Sequence, residues 1–282
     1  MRLGVTMFPT DRAMNIVDLA RAVEARGFSS LYVPEHTHIP TSRATPAPTG
    51  DAELPEQYRR TLDPFVALTA AATATERLRV GTGICLVAQR DPVVTAKEVA
   101  TLDFLSGGRF TFGIGFGWNV EEMADHGVDY PERRAVVREK VLAMQRLWTE
   151  DEAEFAGDHV RLSPSWSWPK PVQQPYPPVL IGGGAGPKLF DHIVEYADGW
   201  IPIGGRGLGE ALPELRKTAE AAGRDPDELR IVPFGTLPSP GKLEHYASLG
   251  IDEVVLQLPS APADKVMGVL DGYSEFVTDA TA

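Results

Sequence analysis

The feature that most constrains the fold is a regular alternation of short β-rich runs with longer segments that carry apolar residues at helical spacing. There are eight of each. The predicted strands are 2–7, 30–34, 78–87, 109–115, 178–184, 200–205, 229–236 and 253–259. The predicted helices are 14–27, 62–75, 91–108, 131–151, 187–199, 208–223, 241–250 and 263–280. Such alternation is typical of parallel strands covered by helices.

The count of eight predicts an α/β fold of the (β/α)8 TIM-barrel class. A chain of 282 residues suits one such barrel, which commonly runs to about 250 residues, so we expect a single domain over 1–282. The longest irregular stretches predict insertions after strands two and four. A doubly wound sheet is the competing architecture, but strand one lacks a dinucleotide-binding glycine fingerprint, which favours the barrel.

Composition excludes several classes of partner. The net charge is −12, from 39 acidic and 27 basic residues, whereas a nucleic-acid surface is basic. No apolar run approaches the roughly 20 residues of a membrane span. Cys85 is the only cysteine, which excludes internal disulfides and suits a cytoplasmic protein. We therefore expect a small-molecule substrate, with no nucleic-acid or membrane partner.

Strand two delivers ionisable side chains to its carboxyl end, where barrel enzymes build their active sites. Glu35, His36 and His38 follow the run Leu-Tyr-Val-Pro directly. Histidine can donate a hydrogen bond or exchange a proton near neutral pH, so His36 and Glu35 are candidate catalytic residues, with His38 on the rim. The alternative is a structural ion pair. The three side chains also resemble a metal site, but no further ligand cluster supports one, so no metal is expected.

Two glycine-rich segments follow strands four and five. Gly113, Gly115 and Gly117 precede a predicted helix start at Asn119, and the run 182–184 precedes another helix. Glycine lets a ligand approach the backbone, and the amides of a helix amino terminus suit a phosphate. Lys188 could add a charge to such a site or be a solvated surface lysine. The alternative is that these glycines only allow close packing.

Strand three carries two further glycines and ends near a cation. Gly81 and Gly83 interrupt an otherwise apolar run, which indicates a bulge or the close approach of a ligand. Arg90 is either a surface charge or a cation for an acidic ligand, and Cys85 is expected to be a buried, inert thiol. Candidates for acid–base chemistry are few and candidates for holding a phosphate are several, which favours cofactor chemistry.

Together these segments resemble the luciferase-like flavin and deazaflavin oxidoreductase family, and more narrowly its branch that depends on coenzyme F420. The resemblance lies in GVTMFPT, in LYVPEHTHIP, in the block from VGTGICLVAQRDP to GFGWNVEE, and in PVLIGGGAGPKL. It implies a barrel with a deazaflavin, or alternatively FMN, over the strand ends. It also implies that the chain is an enzyme.

The resemblance assigns roles to particular residues. It implies a cis peptide bond at Gly83–Ile84, with Ile84 behind the central ring of the cofactor, and a histidine, His36, that faces the ring and the substrate. The full set of implied cofactor contacts is Phe8, Gly83, Ile84, Gly115, Phe116, Gly117, Trp118, Asn119, Gly182, Gly183 and Gly184.

The implied reaction is hydride transfer between reduced F420 and a small unsaturated or imine-like substrate. Two alternatives stay open: an FMN-dependent luciferase-like monooxygenase and a barrel that binds F420 without turnover. In the sugar-phosphate dehydrogenase branch a glutamate follows the Gly-x-Gly motif, whereas this chain has Trp118. That difference disfavours glucose 6-phosphate as substrate. By resemblance we also expect a homodimer.

Overall fold

The computed structural model describes residues 1–47 and 53–277, and its strands and helices alternate as predicted. The strands are β1 (Arg2–Thr6), β2 (Ser30–Val33), β3 (Arg79–Thr82), β4 (Phe110–Ile114), β5 (Ala153–Ala156), β6 (Arg161–Ser165), β7 (Val179–Gly182), β8 (Gly199–Ile201), β9 (Arg230–Ile231), β10 (Phe234–Thr236) and β11 (Glu253–Gln257). The helices are α1 (Ile16–Ala25), α2 (Pro64–Thr73), α3 (Pro92–Ser106), α4 (Val120–Asp125), α5 (Arg133–Thr149), α6 (Pro187–Tyr196), α7 (Leu208–Ala221), α8 (Pro240–Ser248) and α9 (Ala263–Ser274).

Nine of these strands form one parallel sheet in the order β10-β11-β1-β2-β3-β4-β7-β8-β9. β9 and β10 are two parts of one extended stretch. Its Val232 amide donates to the carbonyl of Trp200 in β8, and its Pro233 carbonyl accepts from Val255 of β11, at 2.9 and 2.8 Å. This stretch therefore pairs with β8 on one side and with β11 on the other, and so joins the two ends of the sheet. The protein accordingly has a TIM-barrel-type fold.

Helix starts follow the sequence signals. Asp63 caps α2 by accepting from the Val66 amide, and Asp91 caps α3 by accepting from Val93 and Val94. Each helix has proline at its first position, where the missing N–H is not needed. The two Asp-Pro openings in the sequence therefore mark true helix starts.

Four segments differ from the prediction. Strand three ends at Thr82, five residues before its predicted end, whereas the cis peptide bond at Gly83–Ile84 confirms what the resemblance implies. Predicted strand seven splits in two because Pro233 has no N–H to give to the sheet. The segment 154–178, expected to be irregular, contributes to an antiparallel hairpin of β5 and β6. The last helix ends at Ser274, and residues 278–280 of its predicted range lie outside the described residues.

The barrel interior has its own small apolar core. Its members point inward from strands around the barrel, and Ile84 packs on them from the carboxyl end: Tyr32, Leu180, Ile201, Val232, Phe234 and Val255. A larger apolar layer lies between the sheet and the helices. In the described ranges, no helix is both long and apolar enough to cross a membrane.

An ion cluster centred on the largely buried Arg90 ties β2 to α2 and α3. The Arg90 guanidinium lies 2.6 Å from Glu35 after β2, 2.8 Å from Asp63 before α2 and 2.9 Å from Glu98 on α3. Glu35 is fully buried, and its second oxygen accepts from the Leu86 amide at 2.7 Å. Neither sequence-based reading of Arg90 is right: its charge is satisfied internally by three carboxylates, so it is neither a free surface charge nor a ligand cation.

We expect Glu35→Gln to lower the free energy of unfolding by about 1–3 kcal/mol, because both oxygens of Glu35 accept hydrogen bonds and the NH2 group of glutamine leaves a buried donor facing another donor. Glu98→Gln is the matched control. Glu98 binds the same guanidinium but is one-third exposed, so its loss should cost less than about 1 kcal/mol. Urea unfolding measures both. Equal losses in the two variants would contradict this account of Glu35.

Candidate active site

His36 lies at the carboxyl end of β2 with its ring held by a carboxylate from α4. Its Nδ1 lies 2.9 Å from Oε2 and 3.1 Å from Oε1 of Glu122, and both side chains are buried. Asn119 caps α4 and accepts from the Glu122 amide. A carboxylate on Nδ1 makes this nitrogen the donor, which directs the other nitrogen, Nε2, to any ligand.

Aromatic rings surround the His36 imidazole. The Tyr58 ring lies 5.3 Å from it and the Trp118 ring 5.8 Å, measured between ring centroids. Phe8 packs on the far side of Tyr58 at 4.8 Å, and the Arg43 guanidinium lies 6.0 Å from the Trp118 ring. The surroundings of His36 are therefore largely aromatic, with Glu122 on Nδ1 and the Arg43 guanidinium beside Trp118 as the charged groups.

Glu35 does not share the position of its neighbour. Both of its oxygens are bound, by Arg90 and by the Leu86 amide, inside the ion cluster. His38 is exposed and pairs with Asp125 at 2.9 Å. Glu35, His36 and His38 are close in the sequence but have different partners in the structure. Of the three, only His36 forms a buried pair with Glu122.

Ile84 lies between two of the predicted glycine segments. A side chain at Gly115 would collide with the Ile84 side chain, and a Cβ at Gly182 would lie 2.9 Å from Ile84 Cγ2. A side chain at Gly83 would collide with the ring of Phe234. The glycines at the ends of β3, β4 and β7 therefore allow a close approach around one isoleucine, at the mouth of the barrel.

The first glycine segment continues into α4. Phe116 is buried, Gly117 adopts a φ of +76°, and Trp118 is partly buried. Asn119 is buried, and its Nδ2 has no hydrogen-bond partner in the described residues. A buried amide donor without a partner is uncommon, and this one lies in the segment predicted to contact a cofactor.

The second glycine segment leads into α6. The indole Nε1 of Trp200 donates to the Gly183 carbonyl at 2.8 Å, which fixes the start of the loop. Gly184 and Lys188 are exposed. The loop is therefore anchored at one end and open to solvent at the other.

Burial changes the acidity of two groups near the site. Desolvation raises the pKa of the Tyr58 hydroxyl above its ordinary value, so this side chain stays a neutral donor. Complete burial, followed by the charge of Glu35, raises the pKa of the Cys85 thiol well above its ordinary range. Cys85 is accordingly an unreactive thiol, in line with the sequence-based expectation.

Sequence reasoning missed Glu122 and Tyr58. Glu122 stands three residues after the helix cap Asn119, a spacing that marks a helix start and gives no sign of a contact with His36. Tyr58 lies in a short 3-10 turn, Glu56–Arg60, inside a polar segment without periodicity. Within 1–47 and 53–277, no three His, Cys, Asp or Glu side chains are grouped to hold a metal ion.

Comparison with known proteins identifies the family of the chain. The model of the luciferase-like monooxygenase family matches residues 2–239. An uncharacterised protein of Mycobacterium tuberculosis strain H37Rv is 45% identical over 267 residues, 94% of each chain. The F420-dependent glucose-6-phosphate dehydrogenase of Amycolatopsis mediterranei is 30% identical over 216 residues, which are 74% of this chain and 60% of that protein.

A solved structure shows the same fold. The monooxygenase RslO1 of Streptomyces bottropensis superposes with a TM-score of 0.78 over 98% of both chains, at 20% identity. At that identity the likeness concerns the fold alone. With the family model matching most of the sequence, the chain belongs to the luciferase-like monooxygenase family.

Proposed function

We propose that this protein is an F420-dependent oxidoreductase that transfers a hydride between reduced coenzyme F420 and a small unsaturated or imine-like substrate. The observation that carries the proposal is the arrangement at the carboxyl ends of the strands, where the buried His36–Glu122 pair shares one end of the barrel with Ile84 and two glycine segments. The name of the Amycolatopsis relative supports F420 as the cofactor.

The residues at this end fit such a cofactor. Gly115 and Gly182 pack closely on Ile84 and have no side chain to obstruct a planar ring beside it, and Asn119 Nδ2 is a buried donor without a partner in the described part of the chain. We propose that Ile84 and Phe8 contact the ring, that Asn119 donates to the cofactor, and that the glycine segments bind its phosphate through backbone amides.

When bound, reduced F420 supplies a hydride from C5 of its deazaflavin ring. His36 supplies the proton. In the protonated ring both nitrogens carry hydrogen: Nδ1–H donates to Glu122, which holds the ring in one orientation, and Nε2–H gives its proton to the substrate atom that gains charge, which leaves the neutral imidazole with its hydrogen on Nδ1. A positioned acid of this kind contributes roughly 10²–10⁴ in rate. Glu35 has a structural role in this proposal.

The aromatic surroundings of His36 restrict the substrate. Trp118, Tyr58 and Phe8 form an apolar wall with one neutral hydroxyl. Such a wall suits a small organic molecule with a polarised double bond. It does not suit a sugar phosphate, because Trp118 occupies the position of the glutamate that the sugar-phosphate enzymes carry.

A cofactor titration tests the proposal. We expect oxidised F420 to quench the tryptophan fluorescence with a dissociation constant of about 1 μM or less, and FMN to bind more weakly. Trp118→Phe should remove most of the quenching, whereas Trp166→Phe, which changes an indole that is 79% exposed, should keep it. Tighter binding of FMN would favour a monooxygenase, and binding of neither would overturn the proposal.

We expect His36→Ala to lower kcat by about 10²–10⁴, with the dissociation constant of F420 changing less than about threefold. Glu122→Gln should lower kcat by about tenfold, since a neutral amide orients the imidazole less firmly. Turnover is followed as oxidation of reduced F420 with a substrate selected from enones and imines.

The matched control for Glu122 is Glu121→Gln. Glu121 is the neighbouring carboxylate on α4, but it binds Thr45 and Ser42 at the surface, so this variant should keep near-normal turnover. Equal losses of kcat and of F420 affinity in His36→Ala would exclude His36 as the acid. If the protein binds F420 equally well with and without His36→Ala, and turns over none of the substrates tested, the results would favour a storage protein.

We also propose two finer points of architecture. The connections from β2 to α2 (34–63) and from β4 to β7 (115–178) are the insertions expected after strands two and four. The protein is a homodimer that pairs through α2 and α3. These helices expose a set of large apolar side chains: Val66, Val93, Val94, Phe104 and Leu105. Several exposed apolar side chains on two neighbouring helices are typical of an interface, and twofold pairing is the commonest arrangement.

Phe104→Glu should therefore dissociate the dimer, because it would bury a charge at the interface. We expect light scattering to give twice the mass of one chain for the wild type and the mass of one chain for the variant. Leu237→Glu is the control, since Leu237 is equally exposed, at 61% against 58% for Phe104, but follows β10. A monomeric wild type would contradict the proposal.

A further inference from the structure

A cavity of about 170 Å³ lies at the amino-terminal end of the barrel, the end opposite to His36. Its walls come from the starts of β1, β9 and β11, from the turn before β11, and from α7 with the turn that follows this helix. Two of the arginines that line it, Arg2 and Arg216, have side chains that are 48% and 52% exposed. The cavity is therefore open to solvent and large enough for several waters, or for a small anion in their place.

The cavity coincides with a gap in the hydrogen bonding of the sheet. β9 pairs with β8, but among the described residues this stretch first bonds to β11 at Pro233, whose carbonyl accepts from Val255. β10 then continues the pairing with β11. The amino-terminal ends of β9 and β11 thus face each other across the cavity, and side chains rather than main-chain bonds connect them.

Three guanidinium groups converge on one carboxylate beside this gap. Those of Arg79, Arg230 and Arg2 lie 2.6, 3.6 and 3.8 Å from Oε2 of Glu253, whose side chain is buried. The first distance is that of a hydrogen bond, whereas the other two are too long for one. Oε1 of Glu253 accepts from the Ser30 hydroxyl at 2.6 Å. The hydrogen bonds of this carboxylate therefore go to Arg79 and Ser30, and neither Arg2 nor Arg230 receives one.

The Arg230 guanidinium has unused donor capacity. Its Nη2 is shielded from solvent and has no hydrogen-bond partner in the ranges 1–47 and 53–277. The rest of the side chain lines the cavity and is 28% exposed. Most buried polar atoms in proteins are paired, so the guanidinium is poorly satisfied by the protein alone. An acceptor in the cavity can bond to its accessible side.

The other acidic side chains near the cavity are engaged elsewhere or exposed. Asp227 pairs with Arg216 at 2.7 Å, and Asp252 is exposed. Asp198 is close enough to interact with the charge of Arg230, but its carboxylate accepts from the Val179 amide at 2.8 Å. None of these three carboxylates lies within 4.0 Å of Arg230 in the part of the chain that the structure describes.

The electrostatics at Arg2 agree with an excess of positive charge. Burial lowers the pKa of Arg2, and the charges of Arg79 and Arg230 act in the same direction. The charges of Glu253 and Asp252 act in the opposite direction without cancelling the shift. This end of the barrel is therefore locally positive, in a chain whose net charge is −12.

We propose that this cavity binds a small doubly charged oxyanion, a phosphate that is either free or part of a small phosphate ester, between the guanidinium groups of Arg2 and Arg230. Two guanidinium groups without a hydrogen-bonded carboxylate suit a dianion, and their planar forks suit its oxygens. The anion links β1 to β9 across the gap and stabilises the barrel. Its site is separate from the proposed active site, because it lies at the starts of the strands rather than at their carboxyl ends.

Thermal melting with added sodium phosphate at constant ionic strength tests the proposal. We use about pH 8, where phosphate is a dianion. The melting temperature should rise saturably, by about 3–6 °C at about 20 mM phosphate, because a ligand that binds the folded chain alone stabilises it. Sodium acetate, a monoanion, should raise it by less than about 1 °C. Glycerol 3-phosphate is the second probe: half-saturation below that of phosphate identifies an ester as the ligand, and half-saturation above it identifies free phosphate.

Variants locate the effect in the cavity. Arg230→Gln and Arg2→Gln should each remove most of the rise with phosphate. The matched control is the double variant Arg216→Gln with Asp227→Asn, which removes one pair of opposite charges from the same cavity and should keep the rise. If Arg230→Gln fails to fold, Arg2→Gln carries the test, since its side chain is about half exposed.

A change of the opposite sign gives a further check. Asp252→Asn removes an exposed negative charge from the cavity lining and should lower the half-saturating concentration of phosphate by about twofold. Loss of folding does not produce tighter binding, so this outcome separates an electrostatic site from a structural defect.

Two results would overturn the inference. One is a melting temperature that responds to phosphate no more than to acetate. The other is an undiminished rise in both Arg2→Gln and Arg230→Gln, which would assign the phosphate to the glycine segments at the other end of the barrel. The proposed function is decided separately by the F420 titration, in which Arg2→Gln should bind F420 as the wild type does.

Discussion

The interaction on which the site depends is the buried ion pair of Arg90 with Glu35. It fixes the chain immediately before His36 and, through Asp63 and Glu98, ties that point to α2 and α3. The Leu86 amide completes the link, so the segment after the Gly83–Ile84 bond is held to the same carboxylate. Burying two charged groups such as Arg90 and Glu35 is costly unless each is paired. Here the pairing is complete, and the ends of β2 and β3 are held together.

A few side chains at the carboxyl end of the barrel, held in place by this ion pair, have separate roles around His36. Glu122 orients His36 from α4, the aromatic rings of Tyr58 and Trp118 exclude water from it, and Ile84 closes the barrel interior beneath. They come from the connections after three neighbouring strands, β2, β3 and β4. Parallel strands make this possible, because their carboxyl ends meet at one side of the sheet.

Much of the fold was predictable because its signals are local. Alternating apolar runs marked the strands, and the Asp-Pro pairs marked the starts of α2 and α3. The split at Pro233 was readable in principle, since proline lacks a sheet donor. The hairpin of β5 and β6 was not, because its strands are short and largely exposed and carry no clear alternation.

The sequence by itself determined the order of the elements, the glycines that allow close approach around Ile84, and the presence of His36 at a strand end. Only the tertiary structure decided which neighbours those residues have. Glu35 and His36 are adjacent in the chain, yet successive side chains of an extended segment point in opposite directions, and Arg90 takes the carboxylate. The partner of the imidazole is Glu122, 86 residues away. Pairings across such distances depend on packing, which no local pattern encodes.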